Sequence, residues 1–121
     1  MVKALFDTNI LIDYLNGIEA SRHEIGLYDD RAISMITWME VMVGAREPHR
    51  EATEAFLARF HLVEIDRAVA DKAVALRRQH RLKLPDAIVW ASAQVQDRLL
   101  VTRDIKDMPK EHPGIRIPYR L

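Results

Sequence analysis

Cysteine is absent from the 121-residue sequence. Disulfides, zinc–thiolate centres and thiol nucleophiles are therefore excluded. A long hydrophobic run is missing too: no apolar stretch approaches the roughly 20 residues a membrane-spanning helix needs. The opening Met1-Val2-Lys3-Ala4-Leu5-Phe6-Asp7 is a short apolar stretch closed by an acid, which does not read as a secretory signal. A cytoplasmic protein with no membrane association is expected. Nor is there an excess of either charge: Lys plus Arg number 18, Asp plus Glu number 18, and the formal net charge is +0. Domains that hold nucleic acid by bulk electrostatics are usually basic. Contact with phosphate would have to come from local patches or from a metal held by acids.

What is present is ordinary for a globular protein: 49% hydrophobic and 30% charged residues. A chain of this size buries roughly two-thirds of its unfolded surface and can cover a sheet on both faces. One domain spanning residues 1–121 is expected, without repeats or linkers. The basic cluster of Arg77, Arg78, His80, Arg81 and Lys83 reads as a solvated helix end, where cations meet the negative pole of the helix dipole.

Short apolar runs alternate with helical periodicity. Strands are predicted over 3–6, 32–36, 62–65 and 99–102, with an edge strand over 115–118 because Pro118 cannot donate to a ladder. Helices are predicted over 10–15, 19–28, 37–45, 49–60, 66–80 and 84–96. In the fourth of these, Ala52, Ala55, Phe56 and Leu57 are expected to face inward. Residues 106–114, with two prolines, are the expected mobile loop. Strand–helix alternation implies right-handed crossovers. The fold class is α/β: a three-layer α/β/α sandwich around a mostly parallel sheet of four to five strands.

The chemistry-bearing residues are Asp7, Glu40, Asp86 and Asp104. Asp7 and Asp104 follow predicted strands, and Glu40 lies in the first turn of the helix after the second strand. In a parallel sheet all strand C-termini share one edge, where ligands of open α/β folds bind. Asp86, at a helix start, can aim at the same edge. Each acid also has a structural reading. Thr37-Trp38-Met39-Glu40 fits a capping box, Pro85 suits the first helical position with Asp86 beside it, and Asp7 and Asp104 could cap helices. Their joint placement favours a site. Two carboxylates about 4 Å apart repel by about 4 kcal/mol at an effective dielectric near 20. A cation relieves this, and an all-oxygen donor set favours a hard one, Mg²⁺ or Mn²⁺. Such an ion activates water and neutralises a scissile phosphate, so phosphodiester hydrolysis fits best. Thr8, Asn9, Ser34, Thr37 and Thr102 could orient waters or phosphate oxygens. The histidines form no metal-binding pair, and Trp38 and Trp90 read as core.

These residues resemble the PIN-domain family, in particular the VapC-type toxins of bacterial toxin–antitoxin pairs. The likeness runs through Phe6-Asp7-Thr8-Asn9-Ile10-Leu11, the segment from Ser34 to Glu40, Leu84-Pro85-Asp86-Ala87, and Val101-Thr102-Arg103-Asp104. One departure concerns the last region. The family often has Asn where Asp104 stands, with an acid three residues on and then an aromatic; here the acid is Asp107, and Met108 replaces the aromatic. Asp104 is favoured as the fourth acid, with Asp107 as its alternate. The resemblance implies a PIN-like endoribonuclease domain that cuts RNA with metal-activated water, pairs with itself, and is inhibited by a cognate VapB-like antitoxin. By the resemblance, Asp7, Glu40, Asp86 and Asp104 are both the catalytic residues and the ligands of one or two Mg²⁺ or Mn²⁺ ions.

Two other readings compete. A phosphatase of the haloacid dehalogenase type also starts with a strand ending in Asp, but it requires Asp-x-Asp, and the third position here is Asn9. It also requires a lysine that the region before Asp104 does not offer. The other is a PIN-like module that binds metal or protein without turnover.

Overall fold

The computed structural model describes residues 2–121. The chain runs β1 (Lys3–Phe6), α1 (Thr8–Leu15), α2 (Glu19–Gly26), β2 (Asp30–Ser34), α3 (Met35–Gly44), α4 (Arg50–Leu57), β3 (His61–Val63), α5 (Arg67–His80), α6 (Leu84–Val95), β4 (Leu99–Val101) and β5 (Ile115–Arg116). The strands form one 5-stranded sheet in the order β3-β2-β1-β4-β5. Every neighbouring pair is parallel. The predicted α/β class and parallel sheet therefore hold.

The strand order reverses between β1 and β4: the chain fills one half of the sheet outward from β1, then returns to start the other half beside it. Two apolar cores result, one on each face. Leu5, Ala32, Val63 and Leu100 point to the side covered by α5 and α6, where Trp90 is 1% exposed. Ala4, Phe6, Ile33 and Val101 point to the side of α1, α2 and α4. This alternation along each strand is the period-two pleat. Parallel strands covered on both faces explain why they read as unbroken apolar runs. No helix among the described residues is long and apolar enough to cross a membrane.

Several local expectations need correction. The second strand lies two residues earlier than predicted, because its register sets Asp30 opposite Lys3 and Leu5 opposite Ala32. Ser34, not Thr37, caps α3, its side chain accepting from Ile36 N. The capping box at Thr37 is not formed, and Glu40 sits in the second helical turn. Lys83 is the N-cap of α6, so Pro85 falls at the second helical position rather than the first. α4 buries Thr53, Phe56 and Leu57, while Ala52 and Ala55 face solvent. β3 ends at Val63, leaving Ile65 exposed. β5 closes at Arg116, before the predicted end. Asp66 caps α5 as expected, accepting from Val69 N at 2.9 Å.

Candidate metal centre

Asp7 emerges where β1 stops. Its N–H still belongs to the sheet, donating to Val101 O at 2.9 Å, while its extended backbone turns the chain into α1. The side chain is buried and accepts from Thr8 N at 2.7 Å and from the Thr102 hydroxyl at 2.8 Å. Asp7 is thus both a helix cap and a carboxylate enclosed at the reversal point of the sheet. Burial raises its pKa to about 6; the bonds from Thr102 and Thr8 oppose the rise, and the charges of Asp86 and Asp104 add to it.

The other acids arrive from separate elements. Asp86 lies in the first turn of α6, where the helix dipole favours an anion. It is half-buried, and its pKa is raised by desolvation and then by Asp104, Asp107 and Glu40, with Lys83 offsetting part of the effect. Asp104 and Asp107 lie on the loop after β4. Oxygens of Asp86, Asp104 and Asp107 all fall within 4.8 Å of one another. Asp104 also shapes its own loop: Oδ1 accepts from Lys106 N and Asp107 N, each at 3.0 Å. Both alternates for the fourth acid therefore stand beside Asp86. Glu40 projects from α3, exposed, and accepts from the Thr8 hydroxyl at 2.6 Å.

The supporting polar residues divide into two groups. Thr8, Asn9, Thr37 and Thr102 join the acids. Thr8 Oγ1 lies 3.1 Å from Thr37 Oγ1, linking α1 to α3 beside Glu40. Asn9 donates to Thr102 Oγ1 at 3.3 Å, and its Oδ1 accepts from Arg103 N at 3.0 Å. Ser34 is occupied elsewhere: besides capping α3, its hydroxyl lies 3.2 Å from that of Ser92 on α6. A cleft of about 350 Å³ opens beside Glu40, with Ile12, Leu15, Val41 and Arg46 among its walls.

Two buried acids were not foreseen. Asp13 on α1 and Glu24 on α2 are 4% and 2% exposed. Each is held by an arginine fork: Arg103 on Asp13 at 2.7 and 3.0 Å, Arg116 on Glu24 at 2.6 and 2.9 Å. Tyr119 and Tyr28 add phenol donors to Asp13 and Glu24 respectively. Asp13 shares the apolar helical face of Ile10, an available signal that a buried acid needed a partner.

The donor set around Asp86 consists of carboxylate oxygens, with threonine hydroxyls behind them. That chemistry suits a hard divalent cation and offers nothing to a soft one. It fits hydrolysis of a phosphodiester, whose charge a cation among these acids would neutralise.

Comparison with known proteins agrees. The family described as PIN domain matches residues 4–110. Ribonuclease VapC10 of Mycobacterium tuberculosis is 29% identical over 113 residues, covering 87% of this chain and 85% of that protein. Among solved structures, a chain of a toxin–antitoxin complex from Klebsiella pneumoniae is 44% identical. It superposes with a TM-score of 0.92, covering 98% of this chain and 100% of its own. A chain of the DNA-bound VapBC structure from Salmonella typhimurium is 25% identical, with a TM-score of 0.76 and 96% of each chain covered. The reversal-point carboxylates, the five-stranded parallel sheet and the match over residues 4–110 together place this chain in the PIN-domain family.

Proposed function

We propose that this protein is a divalent-metal-dependent endoribonuclease acting as the VapC-type toxin of a toxin–antitoxin pair. The reading takes residues 1–121 as one nuclease domain working in the cytoplasm. It assigns Asp7, Glu40, Asp86 and Asp104 as the acids that hold Mg²⁺ or Mn²⁺, with Asp107 as alternate to Asp104. The observation that carries it is the cluster of Asp86, Asp104 and Asp107, with oxygens within 4.8 Å of one another, and the nearness of Asp7, just after β1, and of Glu40 on α3, whose charges interact with Asp86.

The bound cation would neutralise charge on the scissile phosphate and make a water more acidic. The chain's own residues do the rest. Asp7, enclosed and hydrogen-bonded by Thr8 and Thr102, is a fixed anionic anchor. Glu40, exposed and steered by Thr8, is the acid best placed to orient a water and accept its proton. Thr102 and Asn9 hold the loop of Asp104 against Asp7.

Two partners follow from the relatives, an RNA substrate and a VapB-like antitoxin, and the family resemblance adds a second copy of the chain. Exposed apolar residues support a protein partner, since Ile12 and Leu15 wall the cleft beside Glu40 and Val43 on α3 is 84% exposed.

The test is cleavage of a mixed RNA pool by the purified protein with Mn²⁺, with chelator, and with Asp86→Ala. Cleavage that requires both the cation and Asp86 is expected. A folded protein that binds Mn²⁺ yet leaves all RNA intact would reduce the site to a docking module.

A further inference from the structure

Residues 102–107 carry two of the acids that crowd Asp86, and like charges so close push that loop outward. The sheet does little to resist, because β4 ends at Val101 and only the Thr102 N–H continues the ladder, donating to Arg116 O at 3.0 Å. The stronger hold comes from Arg103, the residue between Thr102 and Asp104. Its N–H is taken by Asn9 Oδ1. Its guanidinium is taken by Asp13 on α1 in a two-bond fork, while Tyr119, from the far end of the chain, donates to Asp13 Oδ2 at 2.7 Å. The Asp13 side chain is 5% exposed and that of Arg103 32%.

This arrangement has a specific consequence. Thr102 bonds Asp7, Arg103 bonds Asp13, and Asp104 stands beside Asp86, so three consecutive residues are committed to three different acids. The middle commitment settles the other two. A forked guanidinium–carboxylate pair fixes both distance and plane, which a lysine's single ammonium cannot do. Asp13 sits on α1, the same helix that Asp7 caps. Loop and anchor are thereby referenced to one rigid element.

We propose that Arg103, Asp13 and Tyr119 form a clamp of positioning residues that fixes the loop 102–107 on α1 and so sets the divalent-cation affinity of the acids beside Asp86. All three are assigned to act through Asp104 and Asp107, since the bonds of Arg103 and Tyr119 are spent on Asp13. The clamp rests on the metal-dependent reading above. Supporting groups behind metal ligands are commonly worth about 10-fold to 100-fold in affinity.

The experiment titrates Mn²⁺ into the metal-free, full-length protein by calorimetry, alongside the Mn²⁺ dependence of RNA cleavage. Arg103→Lys keeps the charge and loses the fork; Tyr119→Phe removes one hydroxyl and leaves the fork. The Mn²⁺ midpoint is expected to rise about 10-fold for Arg103→Lys and about 3-fold for Tyr119→Phe, in line with one lost hydrogen bond. Cleavage at saturating Mn²⁺ should largely return in both. A role confined to stability would lower the melting temperature and leave the midpoint in place. Folded variants that bind Mn²⁺ as the wild type does would overturn the clamp, and Tyr119→Phe decides alone if Arg103→Lys fails to fold. A wild-type protein that neither binds Mn²⁺ nor cuts RNA would instead remove the metal reading, and the clamp with it.

Discussion

The hydroxyl of Thr102 donates to Oδ2 of Asp7 across 2.8 Å, joining the ends of two strands that are neighbours in the sheet and far apart in the chain. That bond stabilises the charged form of Asp7, yet burial wins and the group titrates at about 6. The ordinary value is 3.8, so between these values the folded protein holds a proton that the unfolded chain has released. Stability therefore falls as pH rises through this window, and the loss is complete above about 6. A cation among the acids would take the proton's place. The gain in melting temperature from saturating Mn²⁺ should be larger at about pH 7.5 than at about pH 5. RNA cleavage should decline as pH drops below the same range. Calorimetric melts at both pH values check this, and equal gains would count against Asp7 as a member of the cation site.

Asp7→Asn is expected to reduce cleavage by a factor of about 100 or more, because the anionic anchor is lost. The protein should stay folded. Asn keeps an oxygen for Thr8 N but has no acceptor for the Thr102 hydroxyl, which already receives Asp104 N and the Asn9 amide. The lost bond costs about 1–3 kcal/mol. Removing a buried charge in the metal-free protein offsets it. Melting temperatures within a few degrees at neutral pH, together with lost cleavage, are the expected pair of results. A variant that cuts at the wild-type rate would remove Asp7 from the mechanism.

How far the sequence could be read depended on the distance over which each residue is satisfied. β1 and β4 were legible because strands buried on both faces are short unbroken apolar runs, and Asp7 was legible because it follows one directly. Asp66 was legible as a cap because its partner, Val69 N, lies three residues on. The start of α3 was misplaced because Ile36 continues an apolar run while the register of β2 ends the strand at Ser34. Ala52 and Ala55, expected inward with Phe56 and Leu57, face solvent because α4 and its extension bury Thr53, Phe56, Leu57 and Phe60 at helical spacing. The burial of Asp13 is legible from its place on the face of Ile10, but its partners are not: Arg103 and Tyr119 stand 90 and 106 positions away, beyond the reach of any local pattern.

Glu24 ties stability to pH on the acid side. Burial alone would raise its pKa, but hydrogen bonds from Arg116 and Tyr28 reverse the effect, leaving it below the ordinary value of 4.5. Its ionised form therefore stabilises the fold fully above pH 4.5, and the contribution is lost as pH falls further. Glu24→Gln should cost about 1–3 kcal/mol at neutral pH, near the lower end because Arg116 is partly solvated. The gap to the wild type should narrow below about pH 4.5. Urea titrations at neutral and acid pH measure both values, and a gap that widens on acidification would contradict the assignment.

Trp90 separates core from site most cleanly. It is 1% exposed on α6, with the His80 ring 4.9 Å and the His112 ring 5.1 Å from its own, centre to centre. A base-stacking platform would need an open face, and this one is closed by protein. Trp90→Ala removes a large buried side chain and leaves a cavity, which costs about 3–5 kcal/mol. For a domain of this size that lowers the melting temperature by roughly 10–20 °C. Of the acids only Asp86 shares α6, in its first turn, and Asp7, Glu40 and Asp104 are carried by other elements, so the variant assayed well below its melting temperature should keep a Mn²⁺ midpoint near that of the wild type and lose little affinity for RNA. Weakened RNA binding at unchanged stability would instead make Trp90 part of the substrate surface. Thermal melts and RNA-binding titrations on the same sample distinguish the two, because a cavity in the core and a missing stacking partner change different measurements.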